Sequence, residues 1–560
     1  MLEIILGTVL PLGECYMVRF LFLTVCILLL ASVQAQVEPN YSVVNISSSP
    51  SLQDLIINVT RIGGEGNDRI SQILSDNRGN LIILGKTTSE DPKTSNAPDY
   101  SNSLPNNVNV LRLAPDTFII NLTRHGEINW IIRIPIDFQR PDIVLTHENE
   151  IILAAYTSLN ISSVASFSNS TLLGDPVFFP YDDGNVVLIK FKRDLTVDWS
   201  YIIGGSSLDI FKDIALDFNG DLILVGGTAS SDFPLKNATD TINIYEEDGF
   251  MMKFSTNGTL YWSTFFGGMF AETFFGVTTD QDNNVYTVGI ADNFDFPFKP
   301  PREVIEFDQD AFVAKFDSEG NLIWADFIDH DNETDADLQL RAPIFITSSQ
   351  KLLIPYSRDA IYRLEQLYTY YNMTYFYSEP TEFPKTDQYG FQYFTNIPSM
   401  ALISLDGTEI NRIGYHELVG STFFSVAEDT EGFLFMGKTS QTIEYCPEFA
   451  PFQITDKEGM PIYRSVLDIS NGFGECINFI HIYSDAIIFG MSSGKFDSYG
   501  YTLDAYLVSI RNPRLVISNR SSNFSSTEVT NDYPRITPLI LPLAMLLTRK
   551  KTRKLPRPHP

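Results

Sequence analysis

The stretch LYWSTFFGG, Leu260–Gly268, contains one of only four tryptophans in this chain of 560 residues. Similar runs surround the other three: EINWIIRIP at Trp130, TVDWSYIIGG at Trp199 and NLIWADFID at Trp324. Successive tryptophans are 69, 63 and 62 residues apart, which indicates a repeat of about 65 residues. A rare residue at a regular spacing points to packing between repeat units.

Two further blocks recur with the same period. One is a strand, a polar turn and a second strand, as in DIALDFNGDLILVGGTASS at 213–231. The other precedes each tryptophan position, as in DGFMMKFSTNGTLY, and Tyr463 takes the tryptophan position in the sixth copy. Each block occurs seven times, so each unit has four short apolar runs divided by turn residues. This pattern predicts an all-β fold, a single β-propeller of seven four-stranded blades.

Two segments are candidates for the strand that closes the ring. INVTRIGG, Ile57–Gly64, aligns with YWSTFFGG, Tyr261–Gly268, so a strand of the fourth type precedes the first full unit. RLVIS at 514–518 follows the last unit and could fill the same place. Pairing of either segment with the last blade would cover an edge that invites aggregation. The sequence leaves both alternatives open.

The stretch WSTFFGGMFAETFFGVTTDQDNNVYTVGIADNFDFPFK, 262–299, resembles the SBBP-type β-propeller repeat family. That family joins a Trp-Ser-Thr strand and Gly-Gly to an Asp-x-x-Gly-Asn turn, a Tyr-x-x-Gly strand and a Phe-Pro pair. The resemblance covers residues 54–518, is specific in the third and fourth units, and places Asn283 where the family has glycine. It implies a propeller of secreted and surface proteins and supplies no agreed catalytic residues.

The chain ends resemble targeting and anchoring segments. A basic start at Met17-Val18-Arg19, an apolar run at 20–31 and small residues before Gln36 are typical of a signal peptide, with translation starting at Met17. At the other end, residues 536–547 are apolar but interrupted by Pro538 and Pro542, and a basic run follows. Twelve helical residues span only about 18 Å, so either a membrane anchor or a frayed tail remains open. The predicted organisation is a prefix and signal peptide at 1–35, a linker at 36–53, the propeller at 54–518, a polar stalk at 519–535, the apolar segment at 536–547 and a basic tail at 548–560.

The composition indicates a secreted or cell-surface glycoprotein. After the predicted cleavage only Cys446 and Cys476 remain, either as one disulfide or as two free thiols. Asn58 also begins a sequon but falls in a predicted strand, so it is left out. The predicted glycosylation sites are Asn40, Asn45, Asn121, Asn160, Asn169, Asn237, Asn257, Asn332, Asn372, Asn519 and Asn523.

No motif in the sequence indicates catalysis. GMSSG at 490–494 fits a nucleophile elbow, but the residues after it indicate another strand where that motif needs a helix. The acidic run at 329–337 alternates carboxylates as Ca²⁺ sites do, yet lacks the glycine and distal glutamate of an EF-hand, so a solvated loop is the default. Asp280 and Asp317 fall in repeat turns, where capping explains them. We therefore predict no catalytic, cofactor or metal residues.

The expected role is binding. The formal net charge of −30 excludes nucleic acid as a partner, because phosphates require a basic surface. The tyrosine- and phenylalanine-rich insertion at 368–394 suits contact with an extracellular protein or a glycan, or packs on its own blade. We expect a monomer, with membrane association through the C-terminus as an added possibility. The alternative function is an extracellular polysaccharide hydrolase or lyase, which would need convergent carboxylates at the propeller mouth.

Overall fold

The computed structural model places every strand of the described residues within one unit. The chain divides into two units, Met1–Asn512 and Pro513–Pro560, and all the strands lie in the first. The structure describes residues 56–63, 68–87, 93–94, 116–123, 126–134, 136–158, 170–174, 176, 184–240, 247–268, 271–292, 309–328, 344–362, 393–408, 410–414, 421–440, 450–467, 475–483, 485–497 and 500–513.

Seven antiparallel sheets follow one another along the chain, and we number them blades 1 to 7. The first three are β2–β3–β5–β6, β7–β8–β10–β11 and β12–β13–β14–β15, and β9 adds a parallel fifth strand to blade 2. Their bounds are β2 Asp68–Ser75, β3 Leu81–Thr87, β5 Asp116–Leu122, β6 Ile128–Ile134, β7 Gln139–Leu145, β8 Ile151–Thr157, β9 Thr171–Gly174, β10 Asn185–Phe191, β11 Val197–Gly204, β12 Asp209–Leu216, β13 Leu222–Thr228, β14 Asp248–Phe254 and β15 Leu260–Phe266.

Blades 4 to 6 repeat the same order, and blade 7 takes its fourth strand from the beginning of the propeller. Their order is β16–β17–β18–β19, β20–β21–β22–β23, β24–β25–β26–β27 and β28–β29–β30–β1, with β4 next to β1. Their bounds are β16 Glu272–Thr279, β17 Val285–Asp292, β18 Gln309–Phe316, β19 Leu322–Phe327, β20 Phe345–Ile346, β21 Lys351–Tyr362, β22 Tyr393–Ser404, β23 Ile410–Gly414, β24 Ser421–Glu428, β25 Leu434–Ser440, β26 Ala450–Thr455, β27 Pro461–Leu467, β28 Glu475–Ile482, β29 Ala486–Asp497, β30 Gly500–Arg511, β1 Ile56–Gly63 and β4 Lys93–Thr94. The fold is a seven-bladed β-propeller, as the repeats predict.

The N-terminal strand β1 closes the ring. It pairs antiparallel with β30, from Ile56 opposite Ile510 to Ile62 opposite Ala505. Ile62 is buried in a core shared by blades 1 and 7. Of the two candidates in the sequence, the first therefore forms the closing strand, and residues 514–518 lie outside the described part of the chain.

Each tryptophan joins its blade to the next. Trp262, in the fourth strand of blade 3, is 6% exposed and donates from Nε1 to the backbone oxygen of Ser318 in blade 4 at 3.1 Å. Its ring lies against Gly320, where an added Cβ would come within 3.3 Å of the indole and the φ of 85° favours glycine. Trp199 repeats the arrangement, with Nε1 donating to Thr256 oxygen and the ring against Gly258. The periodic tryptophans therefore pack between blades.

The Gly-Gly pairs that follow these strands make room for a buried carboxylate. Gly205 N donates to Asp209 Oδ2 at 2.8 Å, and Gly268 N donates to Glu272 Oε2 at 2.9 Å. A Cβ on Gly204 would lie 2.6 Å from Asp209 Oδ2. Asp209 and Glu272 are the first residues of the first strands of blades 3 and 4. Each Gly-Gly pair, together with its acid, therefore links one blade to the next.

Aspartates of the repeat turns cap their own backbone. Asp280 Oδ1 accepts from the amides of Asp282 and Asn284 at 3.0 and 2.9 Å, and Asp317 holds its turn in the same way. These contacts satisfy turn amides that would otherwise lack partners. The capping interpretation of the repeat aspartates is confirmed.

Candidate functional site

The two ends of the ring differ in the length of their connections. Tight turns join first to second strands and, except in blade 7, third to fourth strands at one end, which we call the turn end. The segments between second and third strands, and those between blades, leave from the opposite end, the loop end. The longest of these joins β21 to β22 through residues 363–392. Because loops on a rigid scaffold carry recognition, the loop end is the candidate binding face.

The first strands of most neighbouring blades contact one another around the ring axis, and most of them carry a β-bulge. Bulges redirect side chains and are frequent beside functional sites. The register shifts lie between Ile70 and Gln72, Gln139 and Asp142, Phe211 and Asp213, Phe274 and Gly276, Phe423 and Ser425, and Ile477 and Phe479. The same irregularity therefore recurs at one level of the ring.

The residue that ends each bulge can bond to the next blade. Its side chain accepts a hydrogen bond from a backbone amide in the first strand of the next blade. That amide belongs to the residue directly after the one that ends the bulge there. The bonds are Gln72 Oε1 from Ile143 N at 2.8 Å, Asp213 Oδ2 from Val277 N at 2.8 Å, and Ser425 Oγ from Ile480 N at 2.9 Å. These contacts link blades 1 to 2, 3 to 4 and 6 to 7.

Asp142 and Asp213 occupy this position in blades 2 and 3, where their carboxyl groups share a hydrogen bond. Burial raises the pKa of Asp142 to about 6, although bonds from Asp213, Ile143 and Gln72 oppose the shift. Burial also raises the pKa of Asp213 well above its usual range, and the Asp142 charge raises it further. Two carboxyl groups in direct contact cannot both ionise without strong repulsion, so the pair holds a proton between them.

Three cations lie on three neighbouring first strands, two of which also carry the carboxyl pair. They are Arg69 on β2, Arg140 on β7 and Lys212 on β12, the last two within the bulges. Burial lowers the pKa of Lys212 to about 8, and the charge of Arg140 lowers it further while that of Glu247 raises it. Burial and Arg140 also lower the pKa of Arg69. Like charges are therefore held close enough to repel.

The backbone and an aromatic ring hold this cluster in place. Arg140 has a φ of 46°, a left-handed conformation that costs a non-glycine residue about 1 kcal/mol. Lys212 Nζ lies 4.4 Å from the centroid of the Phe275 ring, at the bulge of blade 4. In the described part of the chain, none of Arg69, Arg140 and Lys212 forms an ion pair within 4.0 Å.

Three predicted glycosylation sites lie among the residues with described side chains. Asn237 is exposed and donates from Nδ2 to Tyr261 oxygen at 3.0 Å, and Asn257 is exposed in a turn. Asn121 is 3% exposed and accepts from Asn129 Nδ2, so a glycan there would require the strand pair to open. The remaining predicted sites, Asn40, Asn45, Asn160, Asn169, Asn332, Asn372, Asn519 and Asn523, lie outside the described residues.

Other sequence candidates fall within strands or outside the described part. Cys476 lies in β28 opposite Ser492, whereas Cys446 lies outside the described residues. GMSSG at 490–494 lies inside β29, which continues to Asp497 and pairs with β30, so no nucleophile elbow forms there. The acidic run at 329–337 is also outside the described part. Among described residues, no cluster of three His, Cys, Asp or Glu could hold a metal, and no helix is long and apolar enough to cross a bilayer.

The acid pair and the cation cluster were missed in the sequence, although a signal for the acids was present. The blocks DIVLTHENE and DIALDFNGD start with Asp142 and Asp213, so two successive units carry aspartate at one repeat position. Equivalent positions of adjacent first strands lie side by side in a propeller. Repeat alignment could therefore have predicted the contact. Arg69, Arg140 and Lys212 are not at strictly equivalent positions, because the bulges shift them.

No protein-family model and no curated protein matches the chain. Among solved structures, a protein of unknown function from Dyadobacter fermentans is similar over 81% of this chain and 99% of its own, with 9% identity and a TM-score of 0.35. The polysaccharide lyase Uly1 is similar over 80% and 90%, with 9% identity and a TM-score of 0.39. An α-L-arabinofuranosidase from Fusarium graminearum is similar over 67% and 92%, with 8% identity and a TM-score of 0.35. The propeller assignment rests on the strand order of this chain itself.

The acid pair predicts an unusual pH dependence. A carboxyl whose pKa is raised by folding stabilises the folded state fully below the unfolded pKa, and this contribution is lost as pH rises through the folded pKa. Asp213→Asn retains an acceptor for Val277 and can donate to Asp142, so it mimics the protonated form. We expect the variant to be more stable than the wild type by about 1–3 kcal/mol near pH 8, and to differ little near pH 4.

Urea unfolding at both pH values measures this difference. Burial also raises the pKa of Asp209 to about 6. Because Asp209 is present in both proteins, it adds the same pH dependence of stability to each. The control Asp194→Asn removes an equal charge from an exposed turn, where bonds from Thr196 lower the pKa, and should not reduce the loss of stability with rising pH. Equal pH dependence of Asp213→Asn and wild type would show that the pair carries no proton.

Proposed function

We propose that this protein is a secreted or cell-surface β-propeller of the SBBP type that binds an extracellular ligand at its loop end. The observation that carries the proposal is the cation cluster of Arg69, Arg140 and Lys212, placed on three adjoining first strands without an ion pair in the described residues. Cations held together in this way favour an anionic partner. The long connections on the same end would add the contacts that select it.

Binding is favoured over hydrolysis by the state of the carboxyl groups. A glycosidase needs two carboxyl groups about 5–9.5 Å apart, one on each side of the scissile bond. Asp142 and Asp213 are instead bonded to each other and to backbone amides of the first strands. Their contacts suit a structural link between blades.

A hydrolase or lyase remains the second candidate, because the acids do converge at the ring axis. Turnover would require the pair to separate when substrate enters. Incubation with a panel of polysaccharides and analysis of products by mass spectrometry tests this directly. Product release that Asp142→Asn abolishes would replace the binding proposal with an enzymatic one.

Location and family are supported by the sequence. The signal-peptide pattern at 1–35 and the exposed sequons at Asn237 and Asn257 suit the secretory pathway. The unit at 262–299 carries the motifs of the SBBP-type repeat. Expression in secreting cells should yield a monomer that starts at Gln36 and loses mass on enzymatic deglycosylation. A product that retains residues before Gln36, or no secreted product, would contradict this location.

A binding panel tests the function itself. The full chain is presented to arrays of glycans and of extracellular protein domains, and every hit is repeated with variants of the loop end. We expect at least one ligand whose binding depends on the loop end and is unchanged by substitutions in the tight turns of the turn end. An array with no signal above background, or hits that map to the turn end, would count against the proposal.

A further inference from the structure

We propose, on the basis of the binding role above, that Arg69, Arg140 and Lys212 form an anion site that takes the carboxylate of an acidic sugar. The three residues lie on β2, β7 and β12, whose neighbouring pairs contact each other around the ring axis. A ligand at this point of the loop end would therefore contact three blades at once. Arginine guanidinium groups present paired donors that match the two oxygens of a carboxylate.

The local charge fits a ligand with one negative charge. The charge of Glu247, which accepts from the Thr273 hydroxyl, acts on Lys212, and Asp142 and Asp213 lie two and one residues after Arg140 and Lys212 on β7 and β12. Because the aspartate pair shares one proton, it carries a single negative charge. The group as a whole therefore remains positive by one charge, which a carboxylate neutralises. A phosphate monoester carries close to two charges at neutral pH and would overcompensate.

The fold holds these like charges close enough to repel one another, and a bound anion would relieve that repulsion. Arg140 adopts its left-handed conformation at a bulge, and its charge lowers the pKa of both Arg69 and Lys212. Phe275 holds the Lys212 ammonium at 4.4 Å. In a protein with a net charge of −30, such a positive point attracts a small anion, whereas a long polyanion would be repelled by the surface around it.

A matched pair of sugars tests the site. Methyl galacturonide and methyl galactoside differ only in the oxidation of the exocyclic carbon, so the first carries a carboxylate and the second does not. Their binding to the full chain is followed by ligand-observed NMR titration at constant, low ionic strength. We expect the acidic sugar to bind at least about tenfold more tightly, as a charge-assisted hydrogen bond predicts.

Variants place the binding at the cluster. Lys212→Gln and Arg69→Gln should each weaken binding of methyl galacturonide by about tenfold, and Lys212→Arg should preserve it. Arg193→Gln is the control, because it removes an equal charge from an exposed turn at the turn end. It should change binding by less than about twofold. Thermal melting of each variant shows whether a loss of binding reflects a loss of fold.

Several results would overturn the inference. Equal binding of the two sugars would show that the carboxylate is not recognised, and tighter binding of galactose sulfate than of the galacturonide would assign the site to sulfate. Binding that is equally weakened by Arg193→Gln would show a general charge effect. If the array finds a loop-end ligand that methyl galacturonide does not displace, the anion site is wrong while the binding function stands; if neither assay finds a ligand, both are wrong.

Discussion

A chain that begins at Gly64, and therefore lacks β1, is expected to lose its cooperative fold. Without β1 the last blade keeps three strands, and β30 exposes the backbone groups that pair with residues 56–62. The side chain of Ile62 also leaves the core between blades 1 and 7. Burial of that side chain alone is worth about 1.5–3 kcal/mol, and the open edge adds a site for aggregation. Near-UV circular dichroism and size-exclusion chromatography measure the two effects.

A peptide supplied in trans is the sharpest control for ring closure. A synthetic strand of residues 56–63 should pair with the free edge of β30 and restore the monomer, as a donor strand does in other sheet proteins. The same peptide with Ile62→Asp should fail, because it places a charge in the buried core. A chain that begins at Ser51 retains β1 and should behave as the full chain does. Full stability of the chain that begins at Gly64 would contradict closure by β1.

Substitution Trp262→Ala is expected to lower the free energy of unfolding by about 3–5 kcal/mol. The variant loses the indole contact with Gly320, the Nε1 bond to Ser318 oxygen and a large part of the core between blades 3 and 4. Trp262→Phe should lose less, because it keeps an aromatic ring in the cavity and lacks only the donor. Denaturant unfolding followed by near-UV circular dichroism gives both values.

The neighbouring residue provides the matched control. Tyr261 is 43% exposed on the same strand, so its side chain points away from the contact that Trp262 makes. Tyr261→Ala should change stability by no more than about 0.5 kcal/mol. If the two alanine variants were equally stable, the tryptophan would not be the interblade contact that the structure shows.

Local pattern predicted the blades because each unit of the repeat encodes its own strands and turns. Trp262, Gly268 and Asp280 recur with fixed roles, and each role depends on residues within one unit or the next. Ring closure was different, because two segments carried the same strand pattern and pairing with β30 depends on contacts over more than 400 residues, as between Ile62 and Ala505. Local propensity cannot choose between such partners.

The cation cluster was beyond sequence analysis for a geometric reason. A bulge shifts side chains relative to the repeat, so Arg69, Arg140 and Lys212 meet without sharing one alignment position. The overall negative charge of the chain also concealed a local excess of positive charge. Composition averages over the surface, whereas a site depends on which few charges the fold brings together.

Closure by β1 has a consequence for biosynthesis. Ile62 emerges early in translation, but its partner Ala505 is added more than 400 residues later. At about 5–20 residues per second, the nascent chain carries the apolar strand β1 without its partner β30 for roughly 20–90 s. The blades between them can form one after another as they leave the ribosome, yet the ring cannot lock until the last one is complete. Productive folding then requires that β1 stay free of aggregation until β30 has been made, for example through binding of a chaperone.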